Sequence, residues 1–143
     1  MSIKQISVFL ENQAGHVGRV THVLERNGIS IRGFQLADTA DYGIARLVVD
    51  LPEAAEAALS EAGFLVRSSE LLCIELPDTP GALGTVLTSV GAADINIEYA
   101  YSLVSTYVAF KVADIAVAEQ QLVGQPIRLV SQEEIARVVG GGR

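Results

Sequence analysis

Few residues in this chain are of types that do chemistry, and they are widely spaced. The two histidines, His16 and His22, stand six apart, so they do not share a helix face as metal ligands at i, i+4 would. The single cysteine, Cys73, lies in the apolar run Leu71-Leu72-Cys73-Ile74 with no histidine or basic neighbour. It reads as a small core residue rather than a nucleophile. Glu53, Glu56 and Glu61 read as a solvated helix face, and no Walker loop, zinc signature or Gly-x-Ser-x-Gly elbow is present. Arg46, in the apolar stretch Ile44–Val49, is expected to pair with Asp38 or Asp41 in preference to steadying a ligand carboxylate. What remains is a chemistry of binding. Gly15-His16-Val17-Gly18 and Gly81-Ala82-Leu83-Gly84 each stand where a helix is expected to open. A helix N-terminus offers free N–H groups and a positive dipole end to a carboxylate, and a glycine there lets a ligand approach the backbone. The same glycines also suit an ordinary strand-to-helix turn.

These two loops belong to an internal repeat. Gly15–Val20 aligns with Gly81–Val86 at an offset of 66, and Ile29-Ser30-Ile31 aligns with Ile95-Asn96-Ile97 at the same offset. Ile44, Val48 and Asp50 then match Val108, Val112 and Asp114 at 64, so the second hairpin is expected to be two residues shorter. Residues 3–10 alternate as a strand. Val17, Val20 and Leu24 make a helical stripe that Asn27-Gly28 stops. Strands follow over Ile29–Leu36 and Tyr42–Val49, then a helix through Ala55, Ala58, Leu59 and Ala62, and a short strand Phe64-Leu65-Val66. In the second half, strand Leu71–Leu76 leads to Asp78-Thr79-Pro80-Gly81. Pro80 is expected in the first helical turn, with Asp78 or Thr79 as cap. Strands Ile95–Leu103 and Thr106–Val112, helix Ile115–Val123, strand Ile127–Val130, a short helix Gln132–Val139 and the tail 140–143 complete the chain.

Each half is thus a βαββαβ unit, which predicts an α+β fold of two tandem ferredoxin-like units. Their antiparallel sheets carry both helices on one face and leave the other open. The expected domains are residues 1–68 and 69–131, joined near Arg67-Ser68-Ser69-Glu70, with 132–143 as a C-terminal extension. Units this small, with sheet edges to cover, predict a homodimer.

The 143 residues are 50% hydrophobic and 19% charged, enough apolar material for a core. Seventeen acidic residues against ten basic ones give a net charge of −7, with a pI near 4.7 and no Lys/Arg stripe, which argues against a nucleic-acid role. No apolar run approaches the roughly 18 residues that cross a bilayer, and the N-terminus lacks a signal-peptide apolar region. A cytoplasmic protein without membrane contact, cofactor or metal is expected.

At Glu11-Asn12-Gln13-Ala14-Gly15-His16-Val17, Pro77-Asp78-Thr79-Pro80-Gly81-Ala82-Leu83 and Ile95-Asn96-Ile97-Glu98-Tyr99, the sequence resembles the ACT domain, an amino-acid-sensing module of metabolic enzymes. The resemblance covers nearly the whole chain, twice, to about Val130. Ala14 departs from the proline usual there, and Ser30 stands where the second unit has Asn96. The resemblance implies a non-catalytic regulator of amino-acid metabolism that binds a free small amino acid between two ACT units. The ligand is held by the loop before the first helix of one unit and strand two of its neighbour. Carried onto this chain, the ligand contacts are Asn12, Ala14, Gly15, His16, Val17 and Ser30, with Asp78, Pro80, Gly81, Leu83 and Asn96. If loop and strand pair across units, Asn12 joins Asn96 and Asp78 joins Ser30. An asparagine can accept from an ammonium and donate to a carboxylate, so the first pair is expected to bind more tightly. The alternative is a regulatory subunit that acts through contacts with a partner metabolic enzyme and has no working ligand site. Tyr99 and Tyr101 share a strand face and either close a pocket or pack.

Overall fold

The computed structural model describes residues 1–11, 15–38 and 42–138. The elements are β1 (Ile3–Glu11), α1 (His16–Arg26), β2 (Ile31–Asp38), β3 (Tyr42–Val49), α2 (Pro52–Glu61), β4 (Leu65–Glu75), α3 (Ala82–Ala92), β5 (Tyr99–Ser102), β6 (Tyr107–Lys111), α4 (Ile115–Gln121) and α5 (Gln132–Arg137). The chain divides into two compact units, Lys4–Ser69 and Met1–Ile3 with Glu70–Arg143. The division falls inside β4, so residues 67–70 are extended strand.

In the N-terminal unit, β3 lies between β1 and β2, antiparallel to both. Alternation in β1 turns Ile6, Val8 and Leu10 to one face. The register sets Ile6 opposite Leu47 and Val8 opposite Ala45. These residues share one core with Val20 and Leu24 of α1, Ala55 and Leu59 of α2, and Phe64. Both helices therefore cover the same sheet face. Burying these side chains supplies roughly 25 cal/mol for each Å² removed from water.

The C-terminal unit repeats the arrangement. Its strand β6 pairs antiparallel with β4 and β5. Leu72, Ile74, Phe110 and Val112 form a core with Val86 and Val90 of α3 and Ala118 and Leu122 of α4. In both units the fold is α+β, with an antiparallel sheet and its helices on one face.

Several boundaries differ from the sequence reading. Val8 faces Ala45 while Ile74 faces Val108, so the two β-hairpins correspond at an offset of 63 rather than 64. Leu47 and Val49 are the counterparts of Phe110 and Val112, all four in the helix-facing cores. A slip of one residue exchanges the faces of a strand, and matching residue types alone chose the wrong one. The two aligned aspartates differ in role: the Asp50 Oδ1 accepts from the Ser30 N–H at 2.9 Å, while Asp114 caps α4 by accepting from the Val117 N–H. Strand β2 starts at Ile31 rather than Ile29, because the Ile29 N–H is spent on the Leu24 carbonyl and the Gly28 N–H on that of Glu25. These two bonds close α1 in a Schellman motif. Strand β5 covers only Tyr99–Ser102 for a similar reason, since the Ile95 N–H bonds the Val90 carbonyl and closes α3.

The expected strand Ile127–Val130 is a single bridge, Ile74 to Leu129, flanked by the bonds Glu75 N–H to Arg128 O and Val130 N–H to Cys73 O. Helix α5 ends at Arg137, and residues 139–143 lie outside the described residues. The face away from the helices is not wholly open: Gln5, Val48, Cys73 and Ala109 are buried there.

Candidate ligand sites at the helix openings

Helices α1 and α3 open identically. Gly15 (φ 85°, ψ −8°) and Gly81 (φ 86°, ψ −4°) are their N-caps, both left-handed and without a side-chain cap bond. Only glycine takes this conformation at little cost. The first helical bonds run from Arg19 N–H to Gly15 O (3.1 Å) and from Thr85 N–H to Gly81 O (2.9 Å). Asp78 and Thr79 are therefore not caps, and Pro80 does not enter the first helical turn. The Ala82 N–H bonds Thr79 O, so Pro80-Gly81 forms the centre of a turn whose Gly81 angles fit the third residue of type II. Both glycines are exposed, and a Cβ built on either would meet nothing within 4 Å.

The residues singled out from sequence fall into distinct environments. Asn12 and Ala14 lie outside the described residues, as does Asp41. His16 is half-buried, whereas Val17 packs against the N-terminal core. Asp78 and Pro80 are exposed in the turn, and Leu83 is 46% exposed on α3. Ser30 is exposed, and its backbone is engaged by Asp50 from both sides. Asn96 is exposed in the irregular segment ahead of β5. Arg46 donates to Gln35 Oε1 at 2.9 Å. Tyr99 and Tyr101 stack with ring centroids 6.5 Å apart on one face of β5.

Beside α1 the N-terminal unit holds a cavity of about 460 Å³, lined by Phe9, Leu10, Glu11, His16, Arg19, Tyr42, Gly63, Phe64 and Leu65. Its side chains are organised around Phe64. The His16 ring lies 5.7 Å from the Phe64 ring, and the Arg19 guanidinium sits 5.1 Å over it. The His16 Nδ1 accepts the Glu11 N–H at 3.1 Å, which leaves the proton on Nε2 free to donate. Phe9 and Tyr42 form a second, tilted ring pair at 6.2 Å. Sequence reasoning found His16 and missed Arg19 and Phe64. Arg19 follows His16 at i+3, a local signal, whereas nothing local in the sequence places Phe64 against them. A more open groove along α1 and the start of β2 includes His22 and Ser30.

The repeated frame of antiparallel strands with two helices on one face, with its matched glycine caps, has a counterpart among known families. Residues 1–139 match the model of the ACT domain pair. The chain belongs to that family. It is similar to protein BT0572 from Bacteroides thetaiotaomicron over 96% of this chain and 98% of that one, at 31% identity and TM-score 0.89. The ligand-free regulatory subunit of aspartate kinase from Thermus thermophilus shares the fold at 20% identity, with 84% and 88% coverage and TM-score 0.60. The corresponding subunit from Thermus flavus gives 20% identity, the same coverage and TM-score 0.56. A search of curated proteins finds no match.

In the C-terminal ACT unit, Ala82 and Thr85 stand where the N-terminal one has His16 and Arg19. A cluster of charged side chains lies at α5 instead. Glu134 Oε2 accepts from Arg128 Nη2 at 2.5 Å and from the Tyr107 hydroxyl at 3.3 Å, and Arg128 Nη1 lies 3.6 Å from Glu75. The hydrogen bond to Glu134 raises the Arg128 pKa. Burial foremost, then the Glu134 charge, raises that of Tyr107. Burial pushes the Cys73 thiol up to about 12, with Glu134 adding to the shift and Arg128 opposing it. A thiol so held is not a nucleophile at neutral pH. Among the described residues there is no His/Cys/Asp/Glu cluster able to hold a metal ion, and no helix long and apolar enough to cross a membrane.

Proposed function

We propose that this ACT domain pair is a non-catalytic regulatory protein that binds a small amino acid. The ligand lies at a helix-opening loop, and strand two of a neighbouring ACT unit supplies the second wall. The observation carrying this reading is the pair of exposed, left-handed glycine caps at Gly15 and Gly81. Free N–H groups at such a cap suit a carboxylate, and the missing Cβ lets it come close. Asn96, exposed ahead of β5, is the polar group able to meet both charged ends of a zwitterion. Wherever the first-helix loop of one ACT unit meets strand two of another, the pairing of Asn12 with Asn96 is the one expected to bind more tightly. The pairing of Asp78 with Ser30 is expected to bind more weakly, since a carboxylate at Asp78 repels that of the ligand. Occupancy then regulates by binding one arrangement of the protein better than another.

A second reading, that the chain works as a regulatory subunit through protein contacts alone, is favoured by one feature. Phe34 and Leu36 of edge strand β2 stand opposite Leu47 and Ala45 on the helix-bearing face, yet are 59% and 51% exposed. An exposed apolar edge strand invites pairing with another chain, either a second copy in a homodimer or a partner enzyme. The aspartate kinase regulatory subunits with this fold make an amino-acid-metabolising kinase the first partner class to test.

The test is a thermal-shift screen against the twenty amino acids. A ligand at 100 times its Kd adds about 2.7 kcal/mol, a shift of several degrees for a protein of this size. One amino acid, or one chemical class, is expected to raise the midpoint in the wild type and not in Asn96→Ala. A flat screen together with a protein that elutes as a stable complex with a partner would favour the second reading.

A further inference from the structure

We propose that helix α5 is a releasable strap over the outer face of the C-terminal sheet, the face away from α3 and α4, and that it undocks as a unit while the sheet beneath stays folded. Strand register defines the covered face. Leu72 and Ile74 of β4 lie in the core with α3 and α4, so Cys73 and Glu75 point the other way. Their partners on β6, Ala109 and Tyr107, share that outer face. Cys73 and Ala109 are fully buried there, as is Ile135 of α5.

The latch has a fixed half and a moving half. Arg128 and Tyr107 are tied to the sheet: Tyr107 lies in β6, and the Arg128 carbonyl accepts the Glu75 N–H. Two residues on, the Val130 N–H bonds the Cys73 carbonyl at 2.8 Å. Glu134, on α5, accepts from both Arg128 and Tyr107. Release is therefore expected beyond Val130, at the cost of the bonds to Glu134 and of the cover over Ile135.

That cost is small beside the cost of opening the sheet. Helix α5 has six residues, capped by Ser131, and isolated helices shorter than about 12 residues are marginal in water. It persists because it is docked. The latch is reached by solvent, with Arg128 53% and Glu134 30% exposed, and ion pairs so placed contribute little. Strands β4, β5 and β6 are instead bound by two antiparallel ladders over a packed core. Segments with few buried contacts open before core strands do. A molecule that binds the bared face better than the covered one shifts that balance.

Cys73 is the chain's single cysteine and reports the opening. Burial, its largest source of suppressed ionisation, and the Glu134 charge are both relieved when α5 leaves. The test is the rate at which excess dithiodipyridine labels the intact chain at pH 8, in urea concentrations below the unfolding transition. The thiolate attacks the reagent's S–S bond, forms a mixed disulfide and releases one thiopyridone. Labelling is expected to be slower than in the denatured chain and only weakly dependent on urea. Glu134→Gln is expected to speed it roughly three- to tenfold, and Ile135→Ala roughly a hundredfold. Glu134→Gln changes a solvent-reached side chain, so it carries the test even if Ile135→Ala does not fold. Wild-type labelling that follows urea as steeply as global unfolding, labelling as fast as in the denatured chain, or a rate unmoved by Glu134→Gln overturns the proposal.

Discussion

One turn into α1 stands Arg19, its guanidinium over a phenylalanine ring; one turn into α3 stands Thr85, whose hydroxyl donates back to the Gly81 carbonyl at 3.0 Å. The backbones at these two places are the same to within a few degrees at the capping glycine. The side chains around them are not. In the N-terminal unit the aromatic and cationic groups border a cavity. In the C-terminal unit Arg128 is tied to Glu134 and Glu75, and Glu134 also accepts from the Tyr107 hydroxyl. The repeat therefore constrains what the backbone requires, a left-handed cap and a Schellman stop, and leaves the chemistry of each unit free to diverge. A ligand that reads only backbone N–H groups meets two similar openings, whereas one that needs a ring and a cation meets one.

The largest effect that tests this contrast is on alkaline stability. Ser7 of β1 is the counterpart of Cys73 of β4, 66 residues apart. The hydroxyl does not titrate in the accessible range, whereas the thiol does. Burial pushes its pKa up from the ordinary thiol value of 9.0 to about 12. Below pH 9 the thiol is protonated in both states and its contribution is present in full. As pH rises from 9 towards 12 the unfolded chain loses a proton that the folded chain keeps, and stability falls by up to about 1.4 kcal/mol per pH unit. The raised pKa of Tyr107 has the same sign above pH 10. Urea denaturation of the wild type and Cys73→Ala from pH 8 to 11 is expected to show a shallower decline in the variant. Identical slopes would remove the thiol as the source of the difference.

The two cores offer a more direct comparison. Leu24 of α1 and Val90 of α3 occupy corresponding positions, 0% and 4% exposed. Leu24→Ala is expected to cost about 3 kcal/mol, in the range for a leucine truncated inside a packed core. Val90→Ala removes less hydrocarbon and is expected to cost about 2 kcal/mol, at roughly 0.8 per buried methylene or methyl. Denaturation midpoints measure both. A larger loss from Val90→Ala would mean that the C-terminal core is the more tightly packed of the two.

Much of this frame was legible in the sequence because it rests on local rules. The order of elements from β1 to α2, the repeat at 66, the stop at Asn27-Gly28 and strand β3 (Tyr42–Val49) follow from periodicity and glycine placement. The expected strands at Phe64 and Leu71, by contrast, are one strand β4, and that at Ile127–Val130 is a single bridge. What was not legible depends on pairing at a distance. The hairpin offset of 63 is fixed by which strand faces meet the helices, and Ile44 resembles Val108 closely enough to hide the slip. Asp50 was read as the counterpart of Asp114, but its carboxylate is taken by Ser30, 20 residues away. The cavity eluded the sequence reading for the same reason: nothing near His16 in the chain announces that Phe64 lies against it. Asn12, central to the expected ligand contacts, lies outside the described residues.

The smallest effect tests the feature the two units share. An L-residue held near φ +85° pays about 1 kcal/mol of backbone strain relative to glycine. A Cβ at Gly15 or Gly81 would meet no atom within 4 Å, so no steric contribution separates the two sites. Gly15→Ala and Gly81→Ala are therefore expected to destabilise by about 1 kcal/mol each, equal to within a few tenths, although their surroundings differ in charge and aromatic content. Differential scanning of the two variants reads this as nearly equal drops in midpoint. Unequal drops would mean that the side chains around the caps, and not the left-handed backbone alone, hold the helix openings in place. The divergence between the units would then reach into the fold rather than stop at the chemistry laid over it.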